Sequence, residues 1–100
     1  MSNDIPPKYK IQATNRYKKH LKLIAKKNLD NIKKINAVVH LLERGLELPE
    51  KMKDHVLVGN WTGHHECHIG PDLLLIYKIE EDVLILELVD TGTHADLFGV

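Results

Sequence analysis

The sequence predicts a single α+β domain in which an N-terminal strand and a helical hairpin pack on an antiparallel β-sheet. Residues 14–44 carry apolar side chains three or four positions apart, which is the spacing of amphipathic helices. Residues 64–89 contain shorter apolar runs separated by Gly-Pro and Glu-Glu-Asp turns, as is typical of consecutive antiparallel strands. A chain of 100 residues has the length of one domain and shows no linker-like segment, so we predict one domain over residues 1–100.

The first half of the chain predicts one strand and two helices. Residues 8–13 alternate polar and apolar side chains, as a half-buried strand does. Thr14 or Asn15 can cap a first helix, and Asp30 can cap a second helix that ends at Gly45. The short connection between the helices indicates a helical hairpin. The apolar stripes are formed by Tyr17, Leu21, Ile24 and Ala25 on the first helix and by Ile32, Ile35, Val39 and Leu42 on the second.

Strands are predicted again after the hairpin. Residues 46–53 form a connection, and residues 54–59 could include a short strand. Residues 64–69 predict a strand whose alternate side chains point to opposite faces of the sheet. One face carries His64, Glu66 and His68, and the other carries His65, Cys67 and Ile69.

The last two strands are predicted to form a hairpin. Residues 73–79 are apolar at nearly every position, which favours a central strand covered on both faces. Residues 80–82 form a polar loop into a strand over residues 83–89, whose shared face carries Leu84, Leu86 and Leu88. Residues 93–96 have the form of a capping box, which predicts a helical turn with His94 in its first turn.

The charge distribution bears on the class of partner. Residues 1–50 hold eleven Lys or Arg and five Asp or Glu, whereas residues 51–100 hold three and nine, so a net charge of zero conceals a basic half. Such a half can bind an anionic partner, although lysines on a solvated helix surface give the same excess of positive residues. Cys67 is the single cysteine, so no internal disulfide can form. Because the sequence also has no signal-peptide pattern and no long apolar run, we expect a cytoplasmic protein without a membrane segment.

Three histidines and one carboxylate are the candidate functional residues. His55, His68, Asp72 and His94 each lie at the edge of an apolar run, where a packed domain can present titratable groups to a ligand. Imidazole has an ordinary pKa near 6.5, so a histidine can both accept and donate a proton at neutral pH. We expect these four side chains to converge.

Three segments of the second half resemble the YafQ branch of the RelE/ParE toxin superfamily. They are residues 53–63, residues 66–78 and residues 91–98, which begin with Lys-Asp-His, Glu-Cys-His and Thr-Gly-Thr-His. The resemblance implies the RelE-like α+β fold and a bacterial toxin that cuts mRNA, commonly in the ribosomal A site, without a metal or other cofactor. It also implies a cognate antitoxin, the mRNA and the ribosome as partners, and a toxin–antitoxin hetero-oligomer.

The resemblance implies two groups of site residues. The catalytic group comprises His55, His68, Asp72 and His94. Phe98 is implied to hold the substrate or the site, and we add Lys53 and His65 as substrate-binding candidates. This chain departs from the family at Asp90 and His65, because family members often carry arginine at both positions.

The residues suggest a route for RNA cleavage without a metal. We hypothesise that Asp72, with His55 or His68, takes or orients the 2′-hydroxyl proton, and that His94 protonates the departing 5′ oxygen. The remaining imidazolium would stabilise the phosphorane in place of the missing arginine.

Three alternatives remain open at this point. His64, His65, Cys67 and His68 are crowded as zinc ligands are, although strand alternation separates them. Glu66 and Asp72 are the carboxylates available to a Mg²⁺ nuclease. A third alternative is a non-nucleolytic interaction toxin like the gyrase-poisoning ParE branch, for which this histidine set is not expected.

Overall fold

The computed structural model describes residues 5–99 as a five-stranded sheet in the order β1-β5-β4-β3-β2, with helices on both faces. The strands are β1 (Lys10–Ala13), β2 (His55–Val56), β3 (His65–Gly70), β4 (Leu73–Glu80) and β5 (Ile85–Gly92). The α-helices are α1 (Asn15–Lys27), α2 (Leu29–Glu43) and α3 (His94–Phe98), and two 3₁₀ turns cover Glu50–Met52 and Gly59–Trp61. This order confirms the predicted α+β class.

Strand direction differs from the prediction at one edge of the sheet. Strands β2 to β5 form the expected antiparallel meander. Strand β1 instead pairs with β5 in parallel, with Lys10 opposite Ile85 and Ala13 opposite Leu88. Parallel pairing needs a long connection, which the helical hairpin and the strands after it provide. The sheet is therefore mixed, although the predicted meander is correct.

The helical hairpin is as tight as its sequence suggests. Thr14 caps α1 as predicted, because its hydroxyl accepts a hydrogen bond from the Tyr17 N–H. The cap of α2 is Asn28 rather than Asp30, and its side-chain oxygen accepts from the Asp30 N–H at 2.9 Å. Asn28 is both the C-cap of α1 and the N-cap of α2, so the connection between the two helices is this one residue. Among residues 5–99, no helix is both long and apolar enough to cross a bilayer.

The two faces of the sheet are covered to different extents. The hairpin buries the larger core, in which Ile35 and Val38 of α2 pack with Cys67, Leu75 and Leu86 of the sheet. On the other face a smaller cluster forms around Leu74, Ile76 and Leu97, and Leu57, Trp61 and Val89 pack against it. Residues 73–77 of β4 are buried, which confirms the predicted central strand. The second face is thus only partly covered, and it has room for polar groups.

The limits of β5 correct a second prediction. The strand begins at Ile85 and continues to Gly92, instead of covering residues 83–89. Val83 and Leu84 lie in the turn and are exposed, and Leu84 has a φ of 53°, so Leu84 does not share a face with Leu86. The turn is longer than the polar run that marks it in the sequence, because it includes these two apolar residues.

The corner between β5 and α3 depends on Gly92. Thr93 and Asp96 form the predicted capping box, in which each side chain accepts from the backbone N–H of the other residue. Gly92 has a φ of 149°, and a Cβ there would lie 2.7 Å from the Asp96 carboxylate oxygen Oδ2. Any side chain at this position would therefore displace the cap that starts α3.

Gly92→Ala is expected to lower the free energy of unfolding by about 1–3 kcal/mol, because it adds backbone strain and a clash with Asp96. Denaturant unfolding measures the loss. The matched control is Gly63→Ala, which also has a positive φ, of 89°, but places its Cβ in open space. Equal losses in the two variants would show that the capping box does not need Gly92.

Candidate active site

The predicted catalytic residues meet on the partly covered face of the sheet. His55 comes from β2, His68 from β3 and His94 from the start of α3, while Asp72 lies in the turn between β3 and β4. The ring of His68 lies between the other two, with 6.1 Å from its centroid to that of His55 and 6.1 Å to that of His94. The structure therefore brings together four side chains that are far apart in the sequence.

Asp72 and His94 form the tightest contact of the site. One carboxylate oxygen, Oδ1, accepts from the backbone N–H of His94 at 3.0 Å and lies 2.8 Å from its ring nitrogen Nδ1. Because a carboxylate only accepts, Nδ1 carries a proton, and Nε2 is the nitrogen left to face a substrate. The backbone N–H of His94, and then its imidazole, hold the pKa of Asp72 below its ordinary value. Asp72 is thus an anion at neutral pH that orients the ring of His94.

His55 is oriented by the backbone just before it. Its Nδ1 lies 2.7 Å from the carbonyl oxygen of Lys53, which fixes the proton on Nδ1. Lys53 has a φ of 49°, the left-handed conformation. The ring of His55 therefore presents Nε2 toward β3. The side chain of Lys53 is exposed, and a role in substrate binding stays a prediction.

Glu66 is a carboxylate of this site that sequence analysis considered only as a magnesium ligand. It is buried, with 5% of its surface exposed, and its Oε1 lies 3.4 Å from Nε2 of His55 and 3.6 Å from Nε2 of His68. A buried carboxylate stabilises positive charge on neighbouring imidazoles. The strand alternation that places Glu66 and His68 on one face was the signal that could have identified it.

The same three side chains could hold a metal ion. The nearest ligand atoms of His55, Glu66 and His68 all lie within 4.8 Å of one another. Two imidazoles and one carboxylate suit a transition ion better than Mg²⁺, which prefers oxygen ligands. The four side chains of the alternative zinc site do not lie together, because Cys67 is buried in the core under the helical hairpin. Burial also raises the pKa of the Cys67 thiol to about 12, so it is not a thiolate at neutral pH.

The prediction that His65 binds substrate does not fit its position. His65 stacks on Tyr77, with 5.0 Å between the ring centroids, and lies 3.6 Å from Asp54. Tyr77 belongs to the core under the helical hairpin, so His65 lies on the opposite face of the sheet from His68. Alternation along β3 separates the two histidines, and His65 is therefore removed from the candidate site.

Aromatic rings border the site beside α3. Phe98, which was predicted to hold the substrate or the site, lies 6.4 Å from His94 between ring centroids and is 36% exposed. Trp61 meets Phe98 edge to face at 6.1 Å, and it meets His64 in the same way at 5.5 Å. An exposed ring next to an imidazole can stack on a flat ligand group such as a nucleobase.

Comparison with known proteins gives one consistent family. Residues 9–99 match the family described as the bacterial toxin of type II toxin-antitoxin system, YafQ. The mRNA interferase toxin YafQ of Escherichia coli K12 is 40% identical over 89 residues, which are 89% of this chain and 95% of that protein.

Solved structures agree with the sequence match. A crystal structure of the E. coli DinJ-YafQ complex has a TM-score of 0.81 at 37% identity, covering 91% of this chain and 99% of that chain. A metal-bound toxin from Helicobacter pylori has a TM-score of 0.83 at 38% identity, covering 90% of this chain and 99% of that chain. The RelE-like fold predicted from the sequence is confirmed by these likenesses.

The contact between Asp72 and His94 can be tested by NMR titration. We expect the carboxyl pKa of Asp72 to lie below the ordinary value of 3.8. His94→Ala keeps the backbone N–H and removes the imidazole, so it should raise this pKa part of the way back. His64→Ala is the control, because His64 instead packs against Trp61, and it should leave the pKa unchanged.

The same shift gives the sign of the pH dependence. Folding lowers the pKa of Asp72, so the contact stabilises the native protein above the ordinary pKa and is lost as the pH falls through the lowered one. An Asp72 pKa that is identical in the wild type and in His94→Ala would contradict the contact.

Proposed function

We infer that this chain, which belongs to the YafQ family of bacterial type II toxin–antitoxin toxins, is an mRNA interferase that cleaves RNA by metal-independent acid–base chemistry. The observation that carries the proposal is the convergence of His55, His68 and His94 with two carboxylates on one open face. Imidazoles supply the base, the acid and the positive charge that cleavage of a phosphodiester requires.

The order of the three rings suggests their roles. In-line attack of the 2′ oxygen on phosphorus needs a base and an acid on opposite sides of the phosphate. His55 and His94 are the outer rings, and His68 lies between them. We therefore assign His55 and His94 to proton transfer, and we assign His68 to the charge on the phosphate.

Each proton has a defined path in this scheme. Nε2 of His55 takes the 2′-hydroxyl proton as the 2′ oxygen bonds to phosphorus. The bond from phosphorus to the 5′ oxygen breaks, and Nε2 of His94 donates its proton to that oxygen. The products are a 2′,3′-cyclic phosphate and a free 5′ hydroxyl.

The two carboxylates lie against the imidazoles of this scheme. Asp72 lies against Nδ1 of His94 and orients the ring for proton donation from Nε2. Glu66 lies beside both other rings, and it stabilises the positive charge on His68 and the charge that His55 gains. Asp72 therefore acts through His94 in this proposal, rather than with His55 or His68 as the sequence suggested.

Substrate contacts are proposed next to this centre. Phe98 is partly exposed beside His94, where its ring can stack on a base adjoining the cleaved bond. The exposed ammonium of Lys53 can meet a backbone phosphate near His55. These contacts favour a single-stranded RNA, because a base must leave its stack to reach an aromatic side chain.

The proposed partners are an antitoxin and the translating ribosome. The E. coli relative is solved as a DinJ-YafQ complex, which supports a cognate antitoxin and a hetero-oligomer for this chain. Cleavage of mRNA at the ribosome, in the cytoplasm, follows from the family resemblance. A lysine-rich surface supports contact with RNA, since α1 alone carries Lys18, Lys19, Lys22, Lys26 and Lys27.

His94→Ala is expected to lower kcat for RNA cleavage by about 10²–10⁴-fold, because it removes the proposed acid. The measurement is single-turnover cleavage of a defined RNA, with detection of the 2′,3′-cyclic phosphate. His40→Ala is the matched control, since His40 is an exposed histidine on α2, and it should keep wild-type activity. Wild-type activity in His94→Ala would remove His94 from the mechanism.

The same assay separates the proposal from its rival. A gyrase-poisoning interaction toxin would stop growth without cutting RNA, and its toxicity would not depend on His94. Parallel reactions with free mRNA and with ribosome-bound mRNA show which substrate is used. Expression with and without the neighbouring open reading frame shows whether that frame encodes the antitoxin that restores growth and mRNA integrity.

Added metal should inhibit the reaction rather than support it. A Zn²⁺ or Cu²⁺ ion bound by His55, Glu66 and His68 would occupy the nitrogen lone pairs that proton transfer needs. We therefore expect full activity in EDTA, inhibition by either ion, and recovery when EDTA is added. Glu66→Gln should weaken Zn²⁺ binding in a calorimetric titration. Activity that is lost in EDTA and restored by an ion would instead indicate a metal-dependent nuclease.

A further inference from the structure

We propose that Arg16 is a positioning residue that holds α3, and with it His94, in the place from which His94 acts. The proposal has two parts, and only the second rests on the proposed nuclease function. The first part is structural and states that Asp90 fixes Arg16, which in turn fixes the end of α3. The second part is functional and states that cleavage needs α3 in that position.

The contacts of Arg16 connect three elements. Its Nε lies 2.6 Å from Oδ2 of Asp90 on β5, as an ion pair whose N–H is not aligned for a hydrogen bond. Its Nη2 donates to the carbonyl oxygens of Asp96 and Leu97, both at 3.3 Å. These carbonyls belong to the last turn of α3, where a positive charge suits the helix dipole. One guanidinium from the first turn of α1 therefore links the sheet to the helix that carries His94 and Phe98.

The carboxylate of Asp90 is fixed in a position where it binds this guanidinium. Its side chain is fully buried, and its Oδ1 lies 2.6 Å from Nδ1 of His20 and accepts from the Thr91 N–H at 2.8 Å. A buried carboxylate is costly unless cations or donors surround it. Arg16 and His20, both on α1, provide these partners on the side away from His68. Because Oδ1 is occupied by His20 and Thr91, Oδ2 remains for Arg16.

The position of α3 depends on such polar contacts. The helix has only five residues, and Leu97 is its single buried side chain. A helix this short is not stable by itself. A cavity of about 150 Å³ lies between α1 and the start of α3, bordered by Leu23, Lys27 and Thr93, so apolar packing is incomplete there. Asp72 and the capping box hold the first turn, and Arg16 holds the last.

The contacts also account for the departure of this chain at position 90. Where the family resemblance implies an arginine, this chain carries a carboxylate that pairs with Arg16 from α1. The positive charge is thus still present at this corner of the fold, but it comes from another element. Here the guanidinium of Arg16 donates hydrogen bonds to the carbonyl oxygens of Asp96 and Leu97 in α3.

A contact of Arg16 with RNA would give a different kinetic result. The side chain is 53% exposed, so a phosphate could in principle reach it. Loss of a substrate contact that is equal in the ground and transition states raises KM and leaves kcat unchanged. Loss of a positioning residue lowers kcat, because a small displacement of an acid from its reacting atom slows proton transfer.

The decisive variants are Arg16→Ala and Arg16→Lys, with Lys18→Ala as control. Lys18 is an exposed cation of α1 two positions away, so its replacement removes the same charge. We measure kcat and KM for RNA cleavage, and we follow amide hydrogen exchange of Leu97 and Gly99, whose N–H groups bond to Thr93 and Ala95. Because the His20 ring and the Thr91 N–H still hold the Asp90 carboxylate, both variants are expected to fold.

In Arg16→Ala we expect kcat to fall about ten- to a hundredfold with little change in KM, and the α3 amides to exchange faster than those of β4. Arg16→Lys should give a kcat and α3 exchange rates between those of Arg16→Ala and the wild type. An ammonium keeps the charge but cannot reach Asp90 and both carbonyls at once. Lys18→Ala should keep the wild-type kcat and the wild-type exchange of the α3 amides, and loss of an RNA contact at Lys18 would raise KM alone.

Three results would overturn the proposal. In Arg16→Ala these are a raised KM at constant kcat, a loss of kcat without faster amide exchange in α3, or a kcat and exchange rates that equal those of the wild type. If the wild-type protein cleaves no RNA, the proposed function fails, and the exchange measurement still decides whether Arg16 holds α3.

Discussion

The contact between Asp72 and His94 is the interaction on which the candidate site depends. It joins the turn between β3 and β4 to the first turn of α3, so it brings a carboxylate and an imidazole from distant parts of the chain to one place. The same carboxylate oxygen accepts from the backbone and from the ring, and this fixes the direction in which Nε2 points. Without this contact the imidazole of His94 would lose the partner that orients it.

The unequal covering of the sheet makes room for this chemistry. The helical hairpin buries the main core on one face, so the other face can hold Glu66, His55 and His68 while the fold stays stable. A carboxylate in that position is shielded from water, and it lies 3.4 Å from Nε2 of His55 and 3.6 Å from Nε2 of His68. One face carries the main core and the other the polar groups of the site, because side chains alternate between the two faces along β3 and β4.

Residue patterns in the sequence predicted most of the fold, whereas the four residues of the proposed catalytic set were implied by the family resemblance rather than by residue type alone. Other features could not be read in the same way. The parallel pairing of β1 depends on contacts between distant segments, and the start of β5 depends on how Val83 and Leu84 turn. Glu66 and His65 were both assignable from strand alternation, but Glu66 was considered only as a magnesium ligand, and His65 was added as a substrate-binding candidate although alternation places it with Cys67.

The pairing of the first strand with the last one has a consequence for biosynthesis. Thr14 bonds to the carbonyl of Val89, and Lys10 to that of Leu84, so β1 cannot join the sheet until β5 has been synthesised. His94 is translated after β5. A nascent polypeptide therefore lacks the complete set of three imidazoles until codon 94 has been read, and the message up to that codon is translated before the proposed site exists.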